Sequence, residues 1–429
     1  MTDPDPSAAV FRKVAWRLLP FLGLCYFTAF LDRVNVGMAA LTMNRALGLS
    51  ATAFGTGAGI FFIGYFFFEL PSNIVLVRVG PRRWIARIAI SWGLVTVCTA
   101  FIRGQWEFLA VRFLLGVAEA GFFPGVLYFL TLWFPSAWRG RAIGIFMASA
   151  SVSSIVGPLV SGHLLKMDGI AGLDGWRWLF LIEGLAAVIV GVLCLRVLVE
   201  KPADASWLAP VERQSLEAAL ASDRQVRTAV NGHTLLSALR NPRVWLLSLA
   251  SFGQIFGVYS VVFWQPLILK TFGNSTLDIA YISSAISVIG VIGMVLWPRH
   301  SDRTGERNWH FTAPMALACL GFVIAGLSLH SQPVALLGLC LASLGIAAAV
   351  PIFWTYPTEF LTGAGAAGGF AVINSIGNLA GYFGPQIVGI MRDLTGGFAG
   401  ALLLVALGPL ITLCVGLYLG AARSREALA

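Results

Sequence analysis

Charged residues are scarce in this chain. Asp, Glu, Lys and Arg make up 11% of its 429 residues, whereas 58% of the positions are hydrophobic. An ordinary soluble domain has about 25% charged residues. The composition therefore excludes a typical water-soluble globular protein and indicates a chain that lies in lipid.

Residues that bind metals or phosphates are also few. The chain has six Cys and five His, and every Cys falls within an apolar run at no metal-like spacing. The sequence contains no GxxxxGKS loop, which would cradle nucleotide phosphates. We therefore expect no ATP hydrolysis, no metal site and no cofactor, and we find no nucleophile constellation that would indicate an enzyme.

The chain is rich instead in apolar runs of about 20 residues, each long enough to cross a hydrocarbon core of ~30 Å as a helix. The predicted spans lie near residues 15–41, 52–77, 84–102, 107–134, 141–165, 176–199, 243–270, 277–298, 309–329, 333–356, 366–391 and 398–420. They predict an all-α membrane protein with twelve transmembrane helices in two six-helix bundles. The predicted units are an N-terminal bundle (1–199), a cytoplasmic linker with a surface helix (200–242) and a C-terminal bundle (243–429).

The basic residues are unevenly distributed between the two sides of the predicted bundle. If both termini lie in the cytoplasm, the segments on that side hold 21 Lys and Arg, and the outer loops hold 6. Cytoplasmic loops of membrane proteins are enriched in Lys and Arg. The orientation of the helices in the membrane therefore explains the net charge of +9. The basic residues do not indicate a nucleic-acid partner.

An internal repeat relates the two halves of the chain. The loop after the second span reads VRVGPRRW and the loop after the eighth reads DRTGERNW, so that Gly80 and Gly305 are 225 residues apart. The pair Gly157-Pro158 in the fifth span recurs 227 residues later in the eleventh. Parallel six-helix halves with a binding site between them near the midplane are a known construction of transporters.

These loops and Gly-Pro pairs resemble those of the major facilitator superfamily. More narrowly, the chain resembles the anion:cation symporter family in LDRVNVGMAAL, AEAGFFPG, GWRWLFLIEG, FWTYPTEFLTG and VINSIGN. The resemblance covers nearly the whole chain and implies the major facilitator fold with two pseudo-symmetric bundles. It also implies transport of organic anions, commonly together with protons.

The two repeated loops are expected to gate the cleft between the halves. The resemblance assigns this role to Gly80, Arg82, Arg83, Asp302, Arg303, Gly305 and Arg307. The first loop departs from the superfamily pattern because Val77 stands where an Asp is usual. That change removes one charge contact between the halves, and the basic residues of this loop could serve topology alone.

Four ionisable residues stand out deep inside predicted spans, where a charge costs roughly 2.5–3.5 kcal/mol on insertion scales. Asp32 and Arg33 lie in the first span, and Arg112 and Glu119 lie in the fourth. Seven residues along a helix return to nearly the same face, so Arg112 and Glu119 are about 10 Å apart on one face. Such residues usually line a water-filled path. The alternative is a structural ion pair, such as Arg112 with Glu119.

The residue types at these four positions suit an anion and a proton. The fork of an arginine side chain matches a carboxylate with two hydrogen bonds. Burial favours the protonated form of a carboxylic acid and a nearby Arg favours the charged form, so proton binding can depend on whether substrate occupies the Arg. The resemblance implies that Arg33 binds the substrate carboxylate. Asp32 and Glu119 would then carry protons, with Arg112 tuning Glu119.

The second half has almost no charge within its spans, so polar and aromatic side chains are expected to complete the site. By resemblance, Trp354 and Asn374 contact the substrate. Asn378 lies one turn beyond Asn374 on the same helix face. Trp354 could instead belong to an aromatic belt at the membrane surface.

Two further residues are candidate substrate contacts. Phe30 stands two residues before Asp32, where sugar-acid carriers of the family often have Tyr. The missing hydroxyl favours a less hydroxylated or aromatic carboxylate. Gln265 in the seventh span is a candidate, with Tyr259 and Trp264 on the same predicted helix.

The leading interpretation is a secondary active transporter that carries out proton-coupled symport of a small organic anion by alternating access. A sugar acid, a tartrate-like diacid and an aromatic acid all fit. The alternative is an organic-anion exchanger or exporter on the same fold. We expect a monomer in the inner membrane of a bacterial-type cell, with the anion, protons and lipid as its partners. Glu183 in the sixth span is expected to be structural.

Overall fold

The computed structural model describes residues 6–228, 239–360 and 363–428, and within these ranges it contains helices and no β-strand. The helices of the first half and the linker are α1 (Pro6–Ala46), α2 (Ala51–Val79), α3 (Pro81–Thr99), α4 (Gln105–Glu119), α5 (Phe122–Trp133), α6 (Ser136–Leu164), α7 (Gly175–Val197) and α8 (Pro210–Thr228). Those of the second half are α9 (Pro242–Lys270), α10 (Thr276–Thr304), α11 (Asn308–Leu327), α12 (Gln332–Phe353), α13 (Thr355–Phe360), α14 (Gly363–Thr395), α15 (Ala399–Val405) and α16 (Leu407–Leu428).

All twelve predicted spans are helical. Among the described residues, ten helical segments are long and apolar enough to cross a membrane. The other two, α3 and α14, occupy the third and eleventh predicted places and contain more polar residues. Arginines open α3, and α14 carries Asn374 and Asn378. Both pack lengthwise against apolar helices, α3 against α7 and α14 against α2 and α9, which completes two six-helix bundles.

Three of the predicted spans are interrupted. The sequence predicts one continuous helix over 107–134, whereas the helix ends at Glu119 and resumes as α5. Gly121 adopts a left-handed conformation at this break (φ 85°), which glycine accepts easily because it has no Cβ. The tenth span is divided at Trp354 and the twelfth at Ala406. The break in the fourth span directly follows one of the four intramembrane charges.

The two halves repeat each other in their packing as well as in their sequence. Gly157 of α6 packs against Val34 of α1, and Gly384 of α14 packs against Ser260 of α9. A shift of 226 residues relates Val34 to Ser260, and a shift of 227 residues relates Gly157 to Gly384. The first and fifth spans therefore pack in the first half as the seventh and eleventh spans do in the second.

The bundle has two ends. The start of α1, the linker helix α8 and the end of α16 lie at one end, the terminal face, and the loop between α1 and α2 lies at the other, the far face. At the far face, Asp393 of α14 accepts hydrogen bonds from the backbone N–H groups of Ala51 (3.1 Å) and Thr52 (2.7 Å). Deeper in the bundle, Gly59 of α2 lies against the backbone of Tyr382. These contacts join the two halves at the far face.

The linker helix α8 docks on the first half at the terminal face. Lys13 pairs with Glu212 (2.6 Å), and Arg139 pairs with Asp223 (3.1 Å). A helix is thus present in the linker, as the sequence predicts. The predicted unit boundaries stay a prediction, and residues 229–238 lie outside the described ranges.

We expect Gly59→Val to prevent closure of the far face. A Cβ at this position would lie 2.6 Å from the carbonyl oxygen of Tyr382 and 2.9 Å from its Cα, and backbone atoms cannot swing aside as a flexible side chain does. A membrane-impermeant thiol reagent should therefore label Ala51→Cys several-fold faster in the Gly59→Val protein, in a background without other cysteines. Gly104→Val is the control, because nothing lies within 4 Å of its Cβ position. Equal labelling rates in both proteins would contradict the packing.

Candidate functional site

Arg33 of α1 lies where the two halves of the chain meet. Its side chain is 14% exposed, and its Nη2 forms an ion pair with Oε1 of Glu119. Its Nη1 donates to the hydroxyl oxygen of Tyr259 on α9, at 3.4 Å. The guanidinium group therefore contacts both halves, a carboxylate in the first and a phenol in the second.

Three aromatic rings surround this guanidinium group. Its Cζ is 5.5 Å from the ring centre of Phe30, 5.4 Å from that of Phe61 and 5.9 Å from that of Tyr65. The faces of aromatic rings attract cations at such distances. The Nε of Arg33 is buried and has no hydrogen-bond partner within the described part of the chain. One donor of the arginine fork is therefore unused.

Arg33 and Tyr259 occupy corresponding positions in the two halves. They are 226 residues apart, the same shift that relates Val34 to Ser260. The contact between their side chains therefore crosses the pseudo-two-fold axis of the fold. A ligand inserted between them would contact both halves at the axis that they share.

Glu119 is the last residue of α4 and is 1% exposed. Its Oε1 pairs with Arg33, whereas its Oε2 is buried without a hydrogen-bond partner among the described residues. An ionised carboxylate offers about four acceptor positions. Most of those of Glu119 are unused, so its charge depends mainly on Arg33.

The alternative ion pair of Arg112 with Glu119 is absent from the described residues, and the tuning of Glu119 by Arg112 stays a prediction. Both side chains are buried on α4, but the ion-pair partner of Glu119 is Arg33. Arg112 directs its Nε to the carbonyl oxygen of Gly57 (3.4 Å) and its Nη2 to that of Ala58 (3.3 Å). Helix α2 packs directly on α4, and its backbone receives the guanidinium group. Arg112 therefore joins two helices of the first half.

Asp32 turns into the first half and away from the cleft. It is 3% exposed, and its oxygens accept hydrogen bonds from Nδ2 of Asn35 (3.1 Å) and Oγ1 of Thr96 (3.1 Å). Successive residues of a helix point about 100° apart, which separates Asp32 from Arg33. The two adjacent charges of the first span therefore lie in different surroundings.

Trp354 lies beside the helix that carries Asn374 and Asn378. Its ring stacks on that of Phe370 in α14, with 5.8 Å between the ring centres and 22° between the planes. Phe370, Asn374 and Asn378 are each four residues apart and so share one face of α14. Both Asn side chains are partly buried. The three predicted contacts of the second half are thus on one surface.

Phe62 of α2 connects that surface with the surroundings of Arg33. Its ring centre is 4.4 Å from that of Tyr259, and the ring packs against Gly381 of α14. Gly381 is three residues after Asn378, which is less than one helical turn. The structure therefore brings the second-half candidates close to the aromatic surroundings of Arg33.

Gln265 does not belong to this group. It lies six residues beyond Tyr259 on α9, about 9 Å along the helix axis toward the far face. There its neighbour Trp264 donates a hydrogen bond to the carbonyl oxygen of Pro385 (3.0 Å). Gln265 is 7% exposed and lies where the two halves are closed together. Its predicted contact with substrate has no geometric support here.

The profile of the Major Facilitator Superfamily matches residues 22–385, which is most of the chain. The chain belongs to the major facilitator superfamily. The resemblance read from its loops and Gly-Pro pairs is thereby confirmed. As a member of this superfamily the protein is a membrane transporter and not an enzyme.

Two curated relatives match nearly the full length of this superfamily member. It is 47% identical over 404 residues to a protein of Agrobacterium vitis named "Putative tartrate transporter", a match that covers 94% of this chain and 93% of that one. It is 40% identical over 399 residues to the "Quinolone resistance transporter" of Acinetobacter baumannii, covering 93% and 92% of the two chains.

A solved transporter structure has the same fold. It is a bacterial homologue of the human lysosomal transporter Spinster, in an inward-facing and unoccupied conformation. The TM-score is 0.76 at 18% sequence identity, and the match covers 95% of each chain. At this identity the likeness concerns the fold alone.

The two repeated loops of this superfamily member lie at the terminal face. Both turn through glycines with positive φ: Gly80 (96°) and Gly305 (71°). In the first loop, Arg82 donates through Nε to the carbonyl oxygen of Leu195 at the end of α7 (3.1 Å). In the second, Arg307 pairs with Asp302 of its own loop (2.7 Å). The other basic residues of the loops are exposed: Arg78, Arg83 and Arg303. Their gating role stays a prediction.

The sequence alone does not distinguish the aromatic neighbours of Arg33. Phe61 and Tyr65 are four residues apart on α2 and share one helix face. They lie in the aromatic run FFIGYFFFE, whose aromatic side chains would all be expected to face lipid. Tyr259 is only a weaker candidate in the sequence. Its correspondence to Arg33 under the 226-residue shift is the signal that identifies it.

We expect Arg112→Ala to destabilise the first half. The substitution removes two hydrogen bonds from a charged group, each of which contributes about 1.5–3 kcal/mol, and leaves a cavity between α2 and α4. The midpoint of thermal unfolding in detergent should fall by several degrees. Arg103→Ala is the control, because that side chain is exposed. Equal midpoints for the two variants would contradict the role of Arg112 in joining the helices.

Proposed function

We propose that this protein is a proton-coupled symporter that carries a small organic anion across the inner membrane by alternating access. It acts as a monomer with both termini in the cytoplasm, so that the terminal face is the cytoplasmic face. The observation that carries the proposal is the ion pair of Arg33 with Glu119 at the meeting of the two halves.

The substrate carboxylate takes the place of Glu119 on Arg33. The arginine fork holds a carboxylate with two parallel hydrogen bonds, and the aromatic rings around it exclude water and strengthen the attraction. The hydroxyl of Tyr259 is already within reach of the same guanidinium group. An anion held between Arg33 and Tyr259 would join the two halves through the substrate, as the rocking motion of this fold requires.

Binding of the anion changes the protonation of Glu119. When Arg33 pairs with the substrate, Glu119 loses the cation that stabilises its charge and remains buried at 1% exposure. A buried carboxylate without a partner binds a proton. The anion and the proton therefore bind together, and the affinity for the anion rises as the pH falls.

The remaining residues determine which anion fits. Trp354, Asn374 and Asn378 offer an aromatic surface and amide groups in the second half, suited to the hydroxyls or the second carboxylate of a tartrate-like acid. The relative named as a tartrate transporter supports this class. Phe30 beside Arg33 adds an apolar wall without a hydroxyl, which extends the range to aromatic acids.

An exchanger or exporter of organic anions is the second candidate. It is favoured by the 40% identity to the relative named for quinolone resistance. Uptake of labelled tartrate into proteoliposomes separates the two functions. Acceleration by an inward proton gradient supports symport. Uptake that does not depend on the proton gradient but is strongly stimulated by anion inside the proteoliposomes would reject symport in favour of exchange.

We expect Arg33→Ala to abolish stabilisation of the purified protein by organic anions. A ligand stabilises the state that it binds, and each lost hydrogen bond to a charged group weakens binding by about tenfold or more. The measurement is the thermal shift produced by a panel of carboxylates that includes tartrate. Arg17→Ala is the control on the same helix, because Arg17 is exposed. An unchanged affinity in Arg33→Ala would remove Arg33 from the site.

Glu119→Gln should uncouple transport from protons. The amide cannot exchange a proton, so accumulation driven by a pH gradient should be lost while anion exchange continues. Glu107→Gln is the matched control, because this residue lies in the first turn of the same helix and is exposed. Proteoliposomes report both activities. A normal pH response in Glu119→Gln would exclude this residue as the proton carrier.

A further inference from the structure

A second pair of carboxylates lies inside the first half. The amide nitrogen of Asn35 is 2.7 Å from Oε2 of Glu183 and 3.1 Å from Oδ1 of Asp32. All three side chains are buried, with 0% exposure for Asn35, 3% for Asp32 and 4% for Glu183. One amide group thus bridges two acidic side chains, one on α1 and one on α7.

Neutral donors complete the surroundings of this pair. Thr96 of α3 donates to Oδ2 of Asp32, and Ser161 of α6 donates to Oε1 of Glu183, both at 3.1 Å. Within the described part of the chain, neither carboxylate forms an ion pair with Lys, Arg or His. The charged groups within electrostatic reach of Asp32 are Glu119 and Arg112, and that of Glu183 is Asp32. Each carboxylate therefore has hydrogen bonds and no adjacent cation.

Two negative charges in this place would be unfavourable. They would repel each other across one amide group in surroundings from which water is excluded, and like charges that share a buried site cannot both remain ionised. A proton on one carboxyl group would remove this repulsion and leave both hydrogen bonds of the Asn35 amide intact.

We propose that Asp32 and Glu183 share one bound proton through Asn35, and that Glu183 is therefore a second proton-binding residue of the transporter. The Nδ2 of Asn35 carries two N–H groups and donates one to each carboxyl group. When the proton passes between Glu183 and Asp32, both of these hydrogen bonds stay in place.

The position of the pair connects it to the cleft. Asp32 and Arg33 are adjacent on α1, and Asp32 and Asn35 are three residues apart on one face of that helix. A proton held by the pair therefore acts on the helix that also holds the anion site, a coupling that rests on the proposed function. A sodium ion fits less well, because the centre between the two carboxylates is filled by the amide group of Asn35.

Infrared spectroscopy of the purified protein in liposomes tests the proposal without any substrate. Protonated carboxyl groups have a separate C=O stretching band that shifts in heavy water. We expect such a band near neutral pH in the unaltered protein and its loss or displacement in Glu183→Gln. The control Glu107→Gln, which changes an exposed carboxylate, should leave the band unchanged. Identical spectra for the unaltered protein and Glu183→Gln would overturn the proposal.

A second variant keeps the test valid if Glu183→Gln does not fold. Asn35→Leu retains both carboxyl groups and removes the bridge, so the band should change its frequency because its hydrogen-bond partner is lost. An unchanged band in Asn35→Leu would overturn the proposal. Replacement of Na⁺ by choline supplies the other check. A band that responds to Na⁺ in the unaltered protein and not in the Glu183 variant would identify a sodium site and reject the shared proton.

The infrared test of the shared proton and the uptake test of symport can fail independently of each other. If the unaltered protein shows no proton-driven uptake but has the band, symport is rejected and the proton site stands. If uptake is proton-driven but the infrared band is unchanged in both Glu183→Gln and Asn35→Leu, the proton site is rejected and symport stands. If both hold, Glu183→Gln should lower proton-driven accumulation several-fold while the anion affinity at Arg33 stays the same.

Discussion

The ion pair between Arg33 and Glu119 is the constraint on which the rest of the site depends. In the proposed function, one partly buried guanidinium group has two anionic partners, a carboxylate of its own half and a carboxylate of the substrate, and it cannot satisfy both fully. The aromatic rings around it limit its contact with water, which makes the proposed competition stronger than it would be in solution. The break after Glu119 and the packing of α2 on α4 fix the geometry of this competition.

The duplicated fold makes the site asymmetric at one pair of positions. The two halves share their packing, but the position that holds Arg33 in the first half holds Tyr259 in the second. The first half therefore contains the charges, including the buried pair Asp32 and Glu183, and the second half offers neutral and aromatic contacts. In the proposed cycle, ion coupling belongs to one bundle and selectivity belongs largely to the other.

The fold was predictable because the length of an apolar run and the shift between repeated motifs are local properties of the sequence. The four charges of the first and fourth spans were predictable for the same reason. Their pairing was not, because helical periodicity relates Arg112 to Glu119 on one helix, whereas the observed partner Arg33 comes from another helix. The exclusion of Asp32 from the cleft depends likewise on how α1 packs against α3 and α7.

In the proposed cycle, the substrate and Glu119 compete for Arg33. Isothermal titration calorimetry of the anion, repeated in buffers with different enthalpies of ionisation, measures the protons taken up on binding. We expect uptake of about one proton per anion bound, since the displaced carboxylate becomes protonated, and an affinity for the anion that rises as the pH falls. Binding with no proton uptake and an affinity independent of pH would contradict it.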